Sequence, residues 1–219
     1  MFRIDCIKNN KVIRFIYYKL LDIMRHHRKI KIINNGTGKI NKYIINGEQC
    51  TISIGHGTSL NHLFVRINGS NNTIIIDENC VIGPKCSFWL EGDNNTIHIG
   101  SNRTFTKSIH LCVQENDMSI MIGNDCMFSN NIIIRTSDSH PIYDKNTKQR
   151  INHPQSVIIG NHVWIAPDSK IMKGVEIGDN SIIGSNTFVT KNIGENVLAV
   201  GIPAKEIKNE IFWTRESLF

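Results

Sequence analysis

Residues 159–193 read IGNHVW IAPDSK IMKGVE IGDNSI IGSNTF VTKNI, a pattern with a period of six residues. Each block opens with a large aliphatic residue, and four places later comes a small, β-branched or aliphatic one. An α-helix cannot bury this pattern, because its apolar positions must recur at steps of three and four. The period therefore predicts short strands joined by tight turns. The first set is Ile159, Ile165, Ile171, Ile177, Ile183 and Val189, and the second is Val163, Ser169, Val175, Ser181, Thr187 and Ile193.

The same signature, aliphatic-x-aliphatic followed by Gly or Asp, occurs upstream at longer intervals. Its steps from Ile52 are 22, 23 and 23 residues, and the later ones settle at 18, from Val157 to Val175 to Ile193. Three repeats of six residues make one coil with three short sides. Successive coils stack about 4.8 Å apart, so roughly seven coils form a prism about 34 Å long. The extra residues of the early coils, which are turn formers at one corner, are Gly69-Ser70-Asn71-Asn72, Gly92-Asp93-Asn94-Asn95 and Glu115-Asn116-Asp117.

One step in the repeat is anomalous. Ile120 and Val157 are 37 residues apart, 14 more than the preceding step, so a loop is inserted between two coils. We assign it to residues 136–156, which include Ser-Asp-Ser-His-Pro-Ile-Tyr-Asp. Loops that leave a rigid scaffold often carry function. The predicted organisation is an N-terminal segment over 1–30, a solenoid over 31–200 and a tail over 201–219.

Composition limits the class of protein. The chain has 219 residues, of which 40% are hydrophobic and 20% charged, which suits one folded domain and excludes a disordered chain. The net charge of +6 favours an anionic partner. Six cysteines without a C-x-x-C pair point to a reducing compartment, so we expect a cytoplasmic protein. Cys80, Cys86 and Cys126 fall on the small inward position of their repeats and are expected to be core residues.

The N-terminal segment is basic and partly apolar. Its apolar stretch, Val12 to Met24, is interrupted by Arg14, Lys19 and Asp22 and is too short and too charged to cross a bilayer. Two interpretations stay open. The segment is either a solvated capping helix or a peripheral contact with an anionic membrane face.

These features resemble the hexapeptide-repeat acyltransferases, and among them the bacterial sugar and surface-polysaccharide O-acetyltransferases. The resemblance rests on the repeat, the loop Ser-Asp-Ser-His-Pro-Ile, the segment Gly160-Asn161-His162-Val163-Trp164-Ile165-Ala166 and the ending Gly201-Ile202-Pro203-Ala204-Lys205. It implies an all-β left-handed parallel β-helix and a homotrimer with active sites between subunits. It also implies acetyl-CoA as co-substrate and a glycan or sugar acceptor, with no metal and no nucleic acid.

Acetyl transfer to a hydroxyl needs a base, and histidine titrates near neutral pH. His140 lies in the inserted loop and matches the catalytic His of the family, with His153 as the second candidate. Asp138 or Asp144 is placed to orient His140, although either is as readily a turn carboxylate. The four histidines of the regular coils, His56, His98, His110 and His162, are expected to be structural.

Trp164 shares an outward column with Met127 and Ile182, an apolar surface that a neighbouring subunit is expected to cover. Trp164 is either a structural interface residue or part of the site, and the resemblance favours the active site, beside the catalytic His. The inserted loop carries Tyr143, which we expect to offer a second aromatic face to a sugar acceptor.

The resemblance implies that the pantetheine arm of coenzyme A runs along Ala166, Pro167 and Ser185. It also implies that Thr190 and Lys191 lie near the nucleotide end, and that Lys205 and Lys208 occupy positions where relatives hold the phosphates with cations. The alternative for these two lysines is that they are solvated residues of the C-terminal tail.

The acceptor stays open at this point. The loop and the ending Ile211-Phe212-Trp213-x-Arg215-Glu216 resemble those of enzymes encoded with capsule, exopolysaccharide or lipopolysaccharide assembly, and this resemblance implies acetylation of such a glycan. The alternative is transfer to a small molecule, which would be a free sugar, a nucleotide-sugar amine or serine. Of other classes, a γ-type carbonic anhydrase needs converging histidines that the spacing does not show. An ice-binding solenoid needs ranks of Thr-x-Thr, and only Thr73 and Thr96 stack.

Overall fold

The computed structural model describes residues 19–20, which are helical, and residues 29–218, most of which form a stack of short parallel strands. The predicted N-terminal helix and membrane contact fall almost entirely outside these residues and stay predictions. The strands are β1 (Lys31–Asn34), β2 (Thr37–Asn46), β3 (Thr51–Ile54), β4 (Ser59–Asn68), β5 (Thr73–Ile76), β6 (Val81–Ile82), β7 (Ser87–Glu91), β8 (Thr96–Ile99), β9 (Thr104–Gln114), β10 (Ser119–Ile122), β11 (Met127–Arg135), β12 (Val157–Ile159), β13 (Trp164–Ile165), β14 (Lys170–Ile171), β15 (Glu176–Ile177), β16 (Ile182–Ile183), β17 (Phe188–Val189), β18 (Leu198–Gly201) and β19 (Ala204–Lys208).

The strands form three faces of a triangular prism. The first face is a seven-stranded parallel sheet in the order β1-β3-β5-β8-β10-β12-β15, one strand from each of seven coils. The second face contains β6, β13, β16 and β18, and the third contains β7, β14 and β17. Strands β2, β4, β9 and β11 are long enough to bend from the second face onto the third. At the end of the stack β19 turns back antiparallel to β18.

The sixfold pattern marks the core as the sequence predicts. All twelve residues of the two predicted sets are buried, with at most 6% of any of them exposed. The wider early coils are filled by aromatic rings, and those of Phe105 and Phe128 stack 4.8 Å apart. The prediction for Cys80, Cys86 and Cys126 is confirmed, because each is at most 1% exposed. Burial raises the pKa of Cys86 and Cys126 to about 11.

The corners use residues with positive φ. We call the corners first (between the first and second faces), second (between the second and third) and third (between the third and first). The predicted turns lie at the third corner, where Asn71, Asn94 and Asp117 have φ near 60°. The buried side chain of Asn72 accepts a hydrogen bond from the N–H of Asn95, at 2.9 Å. Such side chains replace strand pairing where the backbone turns.

One predicted step is wrong. The sequence suggested that Ile193 follows Val175 at 18 residues, but Ile193 pairs with Ile177. The last coil is therefore shortened to 16 residues. The Asn192 side chain accepts the N–H of Glu176 at 3.0 Å, which closes the corner with fewer residues.

Candidate functional site

The inserted loop is a compact hairpin at the third corner. It leaves β11 at Arg135 and returns to β12 at Val157, as the anomalous step predicts. Tyr143 and Arg150 form an antiparallel bridge at its centre. The tip is closed by Asp144, whose Oδ1 accepts the backbone N–H of Thr147 at 2.7 Å. This N–H lowers the pKa of Asp144, which is a turn carboxylate and does not orient His140.

Asn152 holds the two arms of this loop together from a buried position, with 7% of the residue exposed. Its Nδ2 donates to the carbonyl oxygen of His140 at 2.8 Å and to Oδ2 of Asp138 at 2.9 Å. Its Oδ1 accepts the N–H of Ile142 at 2.7 Å and Nε of Arg150 at 3.3 Å. Because the amide uses both its donor and its acceptor side, the backbone around His140 is fixed to the opposite arm.

A bidentate ion pair ties the loop to the solenoid. Arg150 donates to both carboxylate oxygens of Glu115, at 2.6 and 2.7 Å, and Glu115 also accepts the hydroxyl of Ser137 at 2.6 Å. Two-point pairing of this kind is strong and directional. The hydrogen bonds from Arg150 are the main reason that the pKa of Glu115 falls to about 2.

Asp138 is also engaged elsewhere. It pairs with Lys173 of the next coil, and this contact is the main cause of its lowered pKa. No hydrogen bond to the ring of His140 occurs within the part of the chain that the structure describes, so neither carboxylate orients it within one chain. The His140 side chain is exposed, as are those of Tyr143 and His153. The loop therefore presents His140 to the outside with its backbone held rigidly.

Trp164 lies on the second face in the predicted column. Its backbone pairs with Met127 on one side and Ile182 on the other, and all three side chains are half-buried. The sequence predicted a neighbouring subunit as the cover of this column. The structure shows that part of the cover belongs to the chain itself, because the ring of Trp213 lies 6.0 Å from that of Trp164.

His140 and Trp164 lie on opposite sides of one prism. The loop is tied to the third corner by its contacts with Glu115 and Lys173. In a triangular section that corner lies opposite the second face, and sides of about five residues make the distance from this corner to that face roughly 14 Å. Within one chain the two predicted catalytic residues do not converge.

The predicted cofactor residues fall into three groups. The first group, Ala166, Pro167 and Ser185, lies at the second corner. There the backbone N–H of Ala166 donates to the carbonyl of Ile183, and the carbonyl of Pro167 accepts the N–H of Asn186. Thr190 and Lys191 follow β17 and are exposed at the third corner, on the side of the inserted loop. Lys205 and Lys208 are exposed on β19. The lysines of the second and third groups are exposed cations, which suits contact with phosphate groups.

Sequence reasoning missed several residues around the site. Glu115 was identified only as a turn residue, and Asn152 and Lys173 carried no motif. His162 was expected to be a structural residue, but the sequence did not indicate its partner. Its ring stacks on that of Trp213, with the ring centroids 4.0 Å apart. The ending around Trp213 and Arg215 was noted as a motif, but nothing in the sequence places it against the solenoid. Within the described residues no group of three or more His, Cys, Asp or Glu is arranged to hold a metal ion, and no helix is long and apolar enough to cross a membrane.

Comparison with known proteins points to one family, the transferases with hexapeptide repeats. Residues 156–191 match the model described as bacterial transferase hexapeptide (six repeats). The chain is 38% identical over 89 residues to polysialic acid O-acetyltransferase of Escherichia coli O1:K1, and 42% identical over 69 residues to galactoside O-acetyltransferase of E. coli K12. These matches span 41% and 32% of this chain, but only 29% and 34% of the relatives' own lengths.

The solved structures match over a longer range. The crystal structure of the polysialic acid-specific acetyltransferase NeuO superposes with a TM-score of 0.79 at 32% identity, over 87% of each chain. The polysialic acid O-acetyltransferase OatWY gives 0.71 at 32% identity, over 85% of this chain and 89% of that one. The shared fold is the left-handed parallel β-helix that the resemblance implied. On this similarity, the chain belongs to the hexapeptide-repeat acyltransferase family.

Proposed function

We propose that this protein is an acetyl-CoA-dependent O-acetyltransferase that acts on a hydroxyl of a bacterial cell-surface glycan. The observation that carries the proposal is the match over 87% of the chain to an acetyltransferase specific for polysialic acid. The exposed His140, on a loop held rigid by Asn152 and Arg150, supports the same chemistry. The buried, unpaired cysteines Cys50, Cys80, Cys86, Cys112 and Cys126 fit the reducing cytoplasm, where we place the reaction.

The reaction is a direct transfer. A ring nitrogen of His140 takes the proton of the acceptor hydroxyl as its oxygen attacks the thioester carbonyl. The C–S bond then breaks, the thiolate of coenzyme A leaves, and the proton passes from the imidazolium to it. Trp164 supplies an apolar face for the sugar ring, and Tyr143 lies on the exposed side of the same loop as His140. Ala166, Pro167 and Ser185 border the pantetheine arm, Thr190 and Lys191 its nucleotide end, and Lys205 and Lys208 the phosphates.

The complete site in this proposal forms between copies in a homotrimer. His140 of one copy meets Trp164 of the next, because the two residues of a single chain lie on opposite sides of the prism. A closed ring uses the same pair of surfaces at each interface, so three equivalent sites result. The half-buried column of Met127, Trp164 and Ile182 supports this arrangement, since part of its apolar surface stays uncovered in one chain.

The acceptor is tested by acetyl-CoA consumption against sialic acids, other monosaccharides, nucleotide sugars, serine and oligosaccharides of increasing length. We expect longer oligosaccharides to give the higher kcat/KM, because contacts remote from the hydroxyl help to position it. If a monosaccharide, nucleotide sugar or serine is as good a substrate as any oligomer, the small-molecule alternative replaces the glycan. That alternative draws on the similarity to galactoside O-acetyltransferase.

The catalytic role is tested by His140→Ala. We expect kcat to fall by about 10²- to 10⁴-fold with an unchanged circular dichroism spectrum, which is the usual contribution of a general base. His153→Ala is the matched control, because His153 is exposed in the same loop. If His153→Ala causes the loss and His140→Ala does not, the assignment of the base is wrong.

A further inference from the structure

The C-terminal segment folds back onto the first corner of the solenoid. We call residues 211–216 the C-terminal latch. Its backbone begins to dock where the N–H of Ile211 donates to the carbonyl of Asn196 at 3.0 Å. Trp213 is then buried, with 7% exposed, and its Nε1 donates to the carbonyl of His162 at 2.9 Å. The Trp213 ring lies almost parallel to the His162 ring, at 10° and 4.0 Å between centroids.

Arg215 fastens the latch with several hydrogen bonds. Its Nε donates to Oδ1 of Asp125 at 2.8 Å, and its Nη2 donates to the carbonyls of Cys126 at 2.9 Å and Asn102 at 3.3 Å. One side chain thus joins the tail to two successive coils. Burial raises the pKa of Asp125, but Arg215 and His162 outweigh it and hold that pKa below its usual value. The latch is therefore held by specific hydrogen bonds and an ion pair, with the ionised carboxylate of Asp125 at its centre.

His162 lies between two hydrogen-bond acceptors. Its Nδ1 is 2.6 Å from Oδ2 of Asp125, and its Nε2 is 3.0 Å from the carbonyl oxygen of Trp213. A neutral imidazole has one N–H, so one of these contacts would set a lone pair against an acceptor. The imidazolium donates to both. Asp125 is the charged group in contact with this ring, and Arg215 pairs with the other oxygen of that carboxylate. The buried Arg103 is electrostatically coupled to the same carboxylate.

The latch also reaches the proposed acceptor site. Trp164 follows His162 by two residues, and its ring lies 6.0 Å from Trp213 at an angle of 48°. Aromatic pairs at such distances and tilts attract each other beyond simple burial. We propose that Trp213 is a positioning residue that fixes Trp164 for the acceptor, and that protonated His162 holds the latch closed. This inference rests on the proposed function for its effect on catalysis, but the closure of the latch is independent of it.

Closure is tested by fluorescence in a chain with Trp213 as its only tryptophan, made by Trp89→Phe and Trp164→Phe. A protonated imidazole stacked on an indole quenches its emission. We therefore expect emission to increase as the pH is raised from acid to alkaline, and to be flat when His162→Gln is added. Emission that does not depend on pH, or that depends on it equally with His162→Gln, would overturn the protonated latch.

Positioning is tested without activity by near-ultraviolet circular dichroism. Two indoles 6.0 Å apart are coupled, so Trp213→Leu and Trp164→Phe should each remove the same band. Phe212→Leu is the matched control, since Phe212 is adjacent and 85% exposed. If Trp213→Leu removes only the signal of one isolated indole, the two rings are not fixed against each other and the positioning role is rejected.

Loss of the contact between Trp213 and Trp164 should change the KM for the acceptor but not the KM for acetyl-CoA. Trp213→Leu should raise the acceptor KM about three- to tenfold, the range for one aromatic pair, and leave the KM for acetyl-CoA within about twofold. Equal changes in both, or a lower Tm with unchanged kinetics, would make the latch purely structural. If the wild-type protein acetylates no acceptor, the proposed function fails, whereas fluorescence and dichroism still decide the latch.

Discussion

Asn152 donates a hydrogen bond of 2.8 Å from its side-chain amide to the backbone carbonyl of His140. The same Nδ2 donates to Asp138, which in turn pairs with Lys173 of the solenoid. A residue with no charge and no obvious motif thus connects the proposed catalytic base to the rigid scaffold. In enzymes, small displacements of a catalytic group cost large factors in rate.

Asn152→Asp should therefore impair turnover. The substitution keeps the size of the side chain but replaces the donor with an oxygen that faces Asp138 and the His140 carbonyl. We expect kcat to fall by about 10- to 100-fold while the KM for acetyl-CoA changes little. Asn146→Asp in the exposed turn of the same loop is the control. Comparable losses in both variants would indicate a general charge effect.

The ion pair between Glu115 and Arg150 predicts acid sensitivity. The pKa of Glu115 is about 2 in the folded chain, against 4.5 for the free group. Its contribution to stability is therefore complete above pH 4.5 and is lost as the pH falls towards 2. The Tm difference between wild type and Glu115→Gln should be present above pH 4.5 and shrink across this window. A difference that does not depend on pH would contradict the pairing.

The buried position of Arg103 indicates that an apolar substitution there stabilises the folded chain. It is 1% exposed, and only its Nε has a partner, the carbonyl of Gly100 at 3.0 Å; both terminal nitrogens lack one among the described residues. The equivalent positions of neighbouring coils hold Cys80 and Cys126. Replacing buried charged side chains by well-packed apolar residues of similar volume is often neutral or stabilising by about 1–4 kcal/mol, and the missing partners of Arg103 favour the stabilising outcome. We expect Arg103→Met to raise the Tm, with exposed Lys107→Met as control. A lower Tm would show that the guanidinium has a stabilising role.

The candidate nucleophiles predict a mechanism without an acetyl-enzyme. Ser137 is fully buried and donates to Glu115, and Ser139 donates to Gln114 at 2.7 Å. The described cysteines are buried with raised pKa values. Initial-rate plots against both substrates should therefore intersect. Parallel lines, or a trapped acetyl-enzyme, would require a covalent intermediate.

The sequence predicts the solenoid well because each contact in it joins residues at a fixed separation. The buried set from Ile159 to Ile193 follows directly from the period of six, and the anomalous step locates the inserted loop. The equivalence of Ile193 with Val175 failed because the final corner is two residues shorter than the repeat. A period cannot indicate where the pattern itself changes.

The site is less predictable because its contacts are not periodic. Arg215 reaches Asn102 across 113 positions, and Arg150 reaches Glu115 across 35. Neither distance relates to the repeat. The family resemblance supplied His140 and Trp164 as a pair, but only the coil geometry shows that one chain holds them on opposite sides of the prism.

Subunit complementation tests the central claim, that His140 of one copy and Trp164 of the next form one site. We expect His140→Ala and Trp164→Ala chains each to be nearly inactive. The two variants are unfolded and refolded together in equal amounts. In a ring assembled at random, about a quarter of the interfaces combine an intact His140 with an intact Trp164, so the mixture should recover about a quarter of wild-type activity. Activity no greater than the mean of the two separately refolded variants would contradict a site shared between copies.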